Sequence, residues 1–232
     1  MRLDKFLCEM NIGTRSQVKE LVKKGLISVN GQVMRSADYK VDEQRDSIAF
    51  QGKRLEYRKF VYFMLNKPRG VVSATQDSIS STVTDLLAAE GRKDLFPVGR
   101  LDKDTEGLLL LTNDGELAHN LLSPKKHVDK TYRVEIVHAL SQEDIDKLEQ
   151  GVDIGEDRLT LPAKVEVQSV NVINLTIQEG KFHQVKRMLQ AVDNQVTALK
   201  RIRFGNITLD ETLAPGEYRA LTPQEEISIR VH

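Results

Sequence analysis

Four consecutive leucines, residues 108–111, place the tightest limit on how this chain can fold. An uninterrupted apolar run of this kind is typical of a strand buried on both faces, so we predict a central strand here. The preceding residues 99–107 (GRLDKDTEG) form a polar, acidic loop. Acidic side chains at the end of a buried strand are held by a rigid scaffold, which favours a functional loop. By composition alone, an ordinary surface loop is the plainer interpretation.

The hydrophobic pattern after residue 60 predicts a domain in which strands dominate. Candidate strands are 61–66, 70–74, 107–112, 131–137, 164–169, 172–178, 196–203 and 206–209. Candidate helices are 82–89, 114–122, 141–150, 183–192 and 223–229. Because regular helices do not separate the strands, a doubly wound parallel sheet is disfavoured. We expect an α+β domain with a mixed or antiparallel sheet.

The first sixty residues predict a small unit of two helices and a hairpin. Apolar residues recur at helical spacing near the N-terminus, and Thr14 is a candidate N-cap for a second helix over residues 15–24. The Asn-Gly pair at residues 30–31 is a strong hairpin signal. Three short strands are expected around it, at residues 26–29, from residue 33, and at residues 48–50.

Charge is distributed unevenly along the chain. The polar, basic segment 51–59 (QGKRLEYRK) is interpreted as a linker between two domains, residues 1–58 and 59–232. Residues 1–60 carry 13 Lys and Arg against 8 Asp and Glu, or +5, so the rest carries 21 against 26, or −5. Residues 181–203 carry six basic residues and one Asp. Local patches determine phosphate binding, so nucleic acid is favoured as a partner although the net charge is zero.

Other classes of protein are disfavoured by the sequence. No run of about 18 apolar residues is present, so no membrane span is expected, and the start MRLDK lacks the apolar stretch of a signal peptide. The single cysteine, Cys8, allows no internal disulfide, which suits a cytoplasmic location. His119 and His183 have no partner at metal-ligand spacing, so we expect no metal site.

The N-terminal segment resembles the S4 RNA-binding module. The resemblance rests on RLD at residues 2–4, TRS at residues 14–16 and GLISVNG at residues 25–31. Thr14 stands where that family usually has serine. The resemblance implies an S4-like, α-L type domain that binds folded RNA through the exposed basic residues of the second helix. These residues are Arg15, Lys19, Lys23 and Lys24.

The remainder of the chain resembles RNA pseudouridine synthases of the Rsu/Rlu type. Residues 99–108 meet every fixed position of the family's catalytic motif, which is Gly-Arg-Leu-Asp, two residues, Thr, one residue and Gly-Leu. Three further blocks agree in order: FMLNKPRG at 63–70, KTY at 130–132 and EGKFHQVKRM at 179–188. The resemblance implies an enzyme that isomerises uridine to pseudouridine in ribosomal RNA.

The resemblance also implies roles for individual residues. Asp102 corresponds to the catalytic aspartate, and Tyr132 is expected to pack against the target base and to help remove the proton from C5. Lys186 corresponds to the basic residue that pairs with the catalytic carboxylate. Arg100 is expected to lie next to the flipped nucleotide. Asp104 and Glu106 occupy variable positions of the motif and are interpreted as structural.

Helical geometry separates Lys186 from its neighbour. Apolar residues at 185, 188, 189 and 192 form a stripe, and at 100° per residue Lys186 lies at its edge while Arg187 points away. A partly buried cation needs an anionic partner, although a lysine with its head in solvent is the plainer interpretation. Arg187 and Lys181 are predicted to contact RNA phosphates.

The substrate and its alternatives follow from the same resemblance. The chain ends soon after GEYR at residues 216–219 without a long basic tail, which favours small-subunit (16S) rRNA; large-subunit rRNA is the alternative. Isomerisation needs no cofactor, and we expect a monomer. Two rivals remain: a metal-dependent nuclease using Asp102 and Asp104, and a non-catalytic RNA-binding factor for ribosome assembly.

Overall fold

The computed structural model describes residues 1–43, 45–55 and 57–231. The chain divides into two compact units. The first comprises Met1–Phe60 together with Glu90–Lys93, and the second comprises Val61–Ala89 and the residues from Asp94 onward. Over the described residues, no helix is both long and apolar enough to cross a membrane.

Two helices and a four-stranded antiparallel sheet make up the first unit. The elements are α1 (Leu3–Glu9), α2 (Arg15–Lys23), β1 (Ile27–Val29), β2 (Gln32–Val33), β3 (Ile48–Phe50) and β4 (Lys53–Arg54), with strand order β2-β1-β3-β4. Thr14 caps α2 as predicted. Its hydroxyl accepts a hydrogen bond from the Gln17 backbone, and the Gln17 side chain accepts one from the Thr14 backbone.

The segment predicted as a linker, residues 51–59, falls within the first unit. Lys53 and Arg54 pair with β3, and Leu55 packs against the unit's hydrophobic core. Glu56, in the same segment, lies outside the described residues. Both side chains of β4 are exposed, so the strand has no apolar alternation by which the sequence could have indicated it.

One mixed sheet dominates the second unit. Its strands are β5 (Tyr62–Lys67), β6 (Phe96–Pro97), β7 (Glu106–Thr112), β8 (Lys130–Ile136), β9 (Lys164–Ser169), β10 (Val172–Ile177), β11 (Val196–Phe204), β12 (Ile207–Thr208) and β13 (Tyr218–Ala220). The main order is β13-β5-β7-β11-β8-β10-β9, with β6 paired to β7 and β12 to β11. Among the described strands, β7 and β11 pair in parallel and the other neighbours are antiparallel. This confirms the predicted α+β class.

Helices pack on both faces of that sheet. They are α3 (Gly115–Leu122), α4 (Gln142–Gln150), α5 (Gln184–Gln190) and α6 (Pro223–Ser228), with short 3-10 helices at Asp85–Glu90 and Pro124–Lys126. Leu109 and Leu111 of β7 contribute to one hydrophobic cluster together with residues of α4 and α5. Leu108 and Leu110 contribute to a second cluster together with α3. The leucine run is therefore a strand buried on both faces, as predicted.

Gly107 permits the close parallel contact between β7 and β11. Its φ is +99°, a conformation that favours glycine, and it pairs with Arg201. A Cβ atom at this position would collide with the backbone oxygen of Arg201. The glycine of the recognised motif thus has a packing reason, and it fixes where loop 99–107 meets the sheet.

The structure differs from the predicted elements at several positions of the second unit. Residues 70–74 are not a strand; Val72 forms only an isolated bridge with Thr82, and Ser73 bonds to loop 99–107 instead. The predicted helix at 82–89 is the 3-10 helix Asp85–Glu90. Strand β13 was not predicted, because its three residues are too few to show a period and its pairing with β5 is distant in sequence.

Candidate active site

Loop 99–107 leads into β7, and neighbouring side chains fix its backbone. The Ser73 hydroxyl donates a hydrogen bond to the carbonyl oxygen of Leu101 at 2.8 Å and accepts one from its N–H at 3.0 Å. Arg69 donates to the carbonyl oxygen of Asp104 at 3.1 Å. Within the loop, the Thr105 N–H donates to the carbonyl oxygen of Asp102 at 3.1 Å. These hydrogen bonds therefore fix the backbone of the loop, which presents the partly exposed Asp102 side chain.

Lys67, at the end of β5, also holds loop 99–107 through hydrogen bonds to its backbone. Its side chain is fully buried, and Nζ donates to the carbonyl oxygens of Pro68 at 3.1 Å, Asp102 at 3.1 Å and Thr105 at 2.9 Å, with Lys103 at 3.4 Å. Burial lowers the pKa of Lys67 to about 8, and nearby carboxylates partly offset that effect. No role was predicted for Lys67 from the sequence. Its signal was a cation at the end of an apolar strand, which needs buried acceptors.

Lys186 joins two carboxylates of the loop. Its Nζ lies 3.1 Å from Oδ2 of Asp102 and 2.7 Å from Oδ1 of Asp104. Burial disfavours the charge of Lys186, but the hydrogen bonds to Asp104 and Asp102 outweigh burial and raise its pKa. Its hydrogen bond to Asp104 lowers the pKa of that carboxyl. Lys186 is thus the partly buried, paired cation that helix geometry predicted, and Asp104 is its second partner.

An open cavity lies in front of Asp102. Strand β8 contributes the nearly buried Tyr132, and Leu199 of β11 contributes to the apolar wall. Loop 99–107, the segment before α5 and α5 itself supply the polar part of the lining, which includes Arg100, Asp102, Lys181, His183 and Lys186. The three residues predicted as catalytic, Asp102, Tyr132 and Lys186, therefore line one cavity, although they are far apart in sequence.

His183 was considered in the sequence only as a metal ligand, and the structure gives it a different position. Its Nε2 lies 3.8 Å from Oδ1 of Asp102, and its ring stacks on Phe182. His183 directly precedes α5 with φ at +49°, in the left-handed region. Its place three residues before Lys186 in the recognised block was the signal that could have indicated a position beside the carboxylate.

The other predicted RNA-contacting residues of this unit occupy different environments. Arg100 is exposed at the cavity, and Lys181 lines the cavity while its Nζ lies 3.4 Å from Glu179. Arg187 is engaged elsewhere: its guanidinium donates to Glu156 at 2.8 Å and to the carbonyl oxygen of Phe182 at 3.1 Å. It also donates to the carbonyl oxygen of Ile154. Arg187 does not project freely to solvent as predicted, and its contact with RNA stays a prediction.

The basic residues predicted on α2 lie in the first unit and away from its core. Val18 and Val22 are fully buried on the opposite side of the helix. The four basic side chains are all exposed: Arg15, Lys19, Lys23 and Lys24. The helix thus presents a cationic surface suited to phosphate groups, and its role in RNA binding stays a prediction.

The carboxylates of the loop are not arranged as a metal site. A two-carboxylate Mg²⁺ site needs both side chains to face a shared space, but the ammonium of Lys186 lies between Asp102 and Asp104. Among the described residues, no cluster of three His, Cys, Asp or Glu could hold a metal ion.

Known proteins resemble this chain over nearly its whole length. Residues 61–191 match the RNA pseudouridylate synthase family, and residues 1–46 match the S4 domain. An uncharacterized RNA pseudouridine synthase of Bacillus subtilis, YtzG, is 52% identical over 97% of this chain and 96% of its own length. Ribosomal small subunit pseudouridine synthase A of Vibrio cholerae is 44% identical over 99% of both chains.

Two further comparisons support the same assignment. The synthase of the same name from Escherichia coli is 40% identical over 99% of this chain and all of its own. A crystal structure of a pseudouridylate synthase superposes with a TM-score of 0.69 at 38% identity, over 99% of both chains. The chain belongs to the RNA pseudouridylate synthase family and is a pseudouridine synthase that carries an N-terminal S4 domain.

Proposed function

We propose that this enzyme converts one uridine of small-subunit (16S) ribosomal RNA to pseudouridine, with Asp102 as its catalytic carboxylate. The observation that carries the proposal is the pairing of Asp102 with Lys186 at 3.1 Å in a cavity that Tyr132 also lines. Full-length similarity to proteins named ribosomal small subunit pseudouridine synthase A supports the choice of RNA.

The reaction breaks the N1–C1′ bond of uridine, rotates the base and forms a C5–C1′ bond. The target base must first leave its stack, since the neighbouring bases otherwise shield it. The carboxylate of Asp102 then attacks C1′ or removes a proton from C2′, and the ammonium of Lys186 lies 3.1 Å from that carboxylate. After C5 joins C1′, the C5 proton is lost and N1 carries a proton in the product. Tyr132 is suited to stack on the base and to assist that proton transfer.

The geometry disfavours the two rival functions. A metal-dependent nuclease would need Asp102 and Asp104 to share a cation, but Lys186 already bridges them. A non-catalytic assembly factor would not need a buried Lys67 that holds the loop around Asp102. Isomerase activity that survives EDTA would exclude the nuclease. We further propose that the enzyme acts as a monomer, because Asp102, Tyr132 and Lys186 of a single chain already form the proposed site. We propose a cytoplasmic location because its single cysteine, Cys8, allows no internal disulfide.

Asp102→Asn tests the catalytic role, because it keeps the shape of the side chain but removes its negative charge. We expect tritium release from [5-³H]uridine-labelled small-subunit rRNA to fall below detection, with RNA affinity and Tm nearly unchanged. Wild-type enzyme and a large-subunit transcript serve as controls for activity and for the choice of RNA. Substantial tritium release by the variant would contradict the role of Asp102.

A further inference from the structure

Phe182 and His183 form a stacked pair at the edge of the active-site cavity. Their ring centroids are 3.8 Å apart and their planes differ by 19°. Phe182 is 73% exposed although His183 covers one face of its ring, so the other face is open to solvent. Single exposed hydrophobic side chains are common and indicate no function by themselves. The Phe182 ring differs from such side chains because hydrogen bonds hold its segment and because it lies beside the active-site cavity.

The segment that carries the pair is held from several directions. The buried Gln184 accepts a hydrogen bond from the backbone of this segment at 3.0 Å and donates one to Glu179 at 3.0 Å. Arg187 donates to the carbonyl oxygen of Phe182 at 3.1 Å. His183 has φ at +49°, in the left-handed region that residues with a side chain adopt uncommonly. The hydrogen bonds of Gln184 and Arg187 hold the segment that presents the phenylalanine ring.

The position of the pair determines which nucleotide it can contact. His183 Nε2 lies 3.8 Å from Oδ1 of Asp102, and Phe182 stacks on His183. A group on the open face of Phe182 is thus separated from Asp102 by two rings. It cannot be the base that reacts, and the separation suits an adjacent nucleotide of the same strand.

We propose that the open face of Phe182 is a stacking site for a nucleobase next to the target uridine. This inference rests on the proposed function, because it requires an RNA strand with its reacting uridine at Asp102. When that uridine leaves the stack, its neighbour loses a stacking partner, and Phe182 replaces part of that contact. Because every base has an aromatic face, the site contributes affinity without selecting a base.

The protein contains no tryptophan, so Phe182→Trp introduces one fluorescent reporter at the proposed site. We expect small-subunit rRNA to quench its fluorescence in a saturable manner. The matched control is Val170→Trp, since Val170 is 74% exposed in the turn between β9 and β10, outside the residues that line the cavity. Its fluorescence should stay nearly constant over the same titration.

Kinetics provide an independent readout. Phe182→Ala should raise KM for tritium release by roughly 5- to 150-fold, the range expected for loss of one base–aromatic stack, and should change kcat much less. Phe182→Tyr should retain a KM near that of the wild type, because it keeps the ring. Phe182→Leu should resemble Phe182→Ala, because it keeps apolar character without an aromatic face.

The two proposals fail in different ways. Absence of tritium release from small-subunit rRNA by the wild-type enzyme counts against the proposed substrate, and the stacking site is then tested on large-subunit rRNA. On whichever RNA the wild-type enzyme modifies, quenching of Phe182→Trp together with a raised KM of Phe182→Ala supports the stacking site. On that RNA, an unquenched tryptophan and an unchanged KM would overturn it.

Discussion

Lys186 balances two carboxylates with one ammonium group, 3.1 Å from Asp102 and 2.7 Å from Asp104. Methionine has a similar length and apolar stem but carries no charge, so Lys186→Met leaves two neighbouring carboxylates without a cation. We expect kcat for tritium release to fall by about 10²- to 10³-fold, the range found when one preorganised group is removed from an active site. RNA affinity should change little.

Arg187→Met is the matched control, since Arg187 is the next residue of α5 and is also partly buried. Arg187 holds Glu156 and two backbone carbonyls rather than Asp102. Its loss leaves the carbonyl oxygen of the buried Ile154 without this partner, at a cost of about 1–3 kcal/mol in the free energy of unfolding. We therefore expect a lower Tm and a raised KM with a nearly unchanged kcat. Equal losses of kcat in both variants would contradict the importance of the Lys186–Asp102 pair.

At the scale of elements, β5 and loop 99–107 are connected through Lys67. Its ammonium bonds to the backbone of the loop on both sides of Lys103, so the charged form holds Asp102 in place. Burial lowers the pKa of Lys67 to about 8, so raising the pH through 8 removes that charge. We expect log kcat to decline above about pH 8. Lys67→Met should have a kcat lowered at all pH values and should lack this decline.

The titration of Lys67 should change the free energy of unfolding in the opposite direction to kcat. The pKa of Lys67 is lower in the folded protein than its ordinary value of 10.5, so between these pH values the unfolded state binds more protons. The contribution of Lys67 to the free energy of unfolding therefore rises with pH in this window, and unfolding on its account cannot explain the loss of activity.

A partly buried lysine, Lys130, provides the control for the pH profile. Burial, with a contribution from Arg201, also lowers the pKa of Lys130 to about 8, but its Nζ donates to the carbonyl oxygens of Val128 and Gln178. Lys130→Met should therefore retain the decline above pH 8. A profile that stays flat through pH 9 in the wild-type enzyme would show that neutral Lys67 holds the loop equally well.

The elements that the sequence predicted are those whose own side chains determine their burial. The leucines of β7 form an uninterrupted buried run, and in β8 and β10 buried positions alternate with more accessible ones. Residues 70–74 have the same apolar character, but Ser73 bonds to Leu101 and no ladder forms. That outcome depends on contacts distant in sequence, which no local pattern contains.

In the candidate site, too, the sequence indicated some features and not others. Helix periodicity and the motif indicated Lys186 and Asp102, and the structure brings their side chains together. Neither indicated that Lys67 reaches the carbonyl oxygens of the loop, because backbone acceptors carry no signature in the sequence. The stack of Phe182 on His183 depends on a left-handed conformation at a residue that is not glycine, which the sequence did not indicate either.

At the scale of the whole molecule, zero net charge conceals two opposite parts. Residues 1–60 carry +5 and the remaining residues −5. Phosphate contacts respond to the local arrangement of cations and not to the sum. The first unit, with four exposed basic residues on α2 and at its C-cap, is therefore expected to supply much of the affinity for RNA, and the second unit the chemistry.

Substituting the basic residues on and next to α2 tests, in the intact chain, whether the first unit supplies affinity for RNA and not the chemistry. The variant carries four changes: Arg15→Gln, Lys19→Gln, Lys23→Gln and Lys24→Gln. Glutamine is a good helix former, so α2 should persist. Each lost phosphate contact reduces the slope of log affinity against log salt concentration by about 0.7–0.9, so four contacts should make it shallower by roughly 3–4. Low salt or more RNA should restore the rate, because none of these residues lines the cavity.

The matched control changes two exposed basic residues elsewhere in the first unit, Lys53→Gln and Arg54→Gln in β4. This variant should keep a slope close to that of the wild-type protein, since the prediction assigns the phosphate contacts to α2. Binding and tritium release are measured for all three proteins over a salt series. An unchanged slope in the α2 variant would show that α2 does not bind the substrate. Normal binding without turnover would show instead that the first unit is needed for the geometry of the active site.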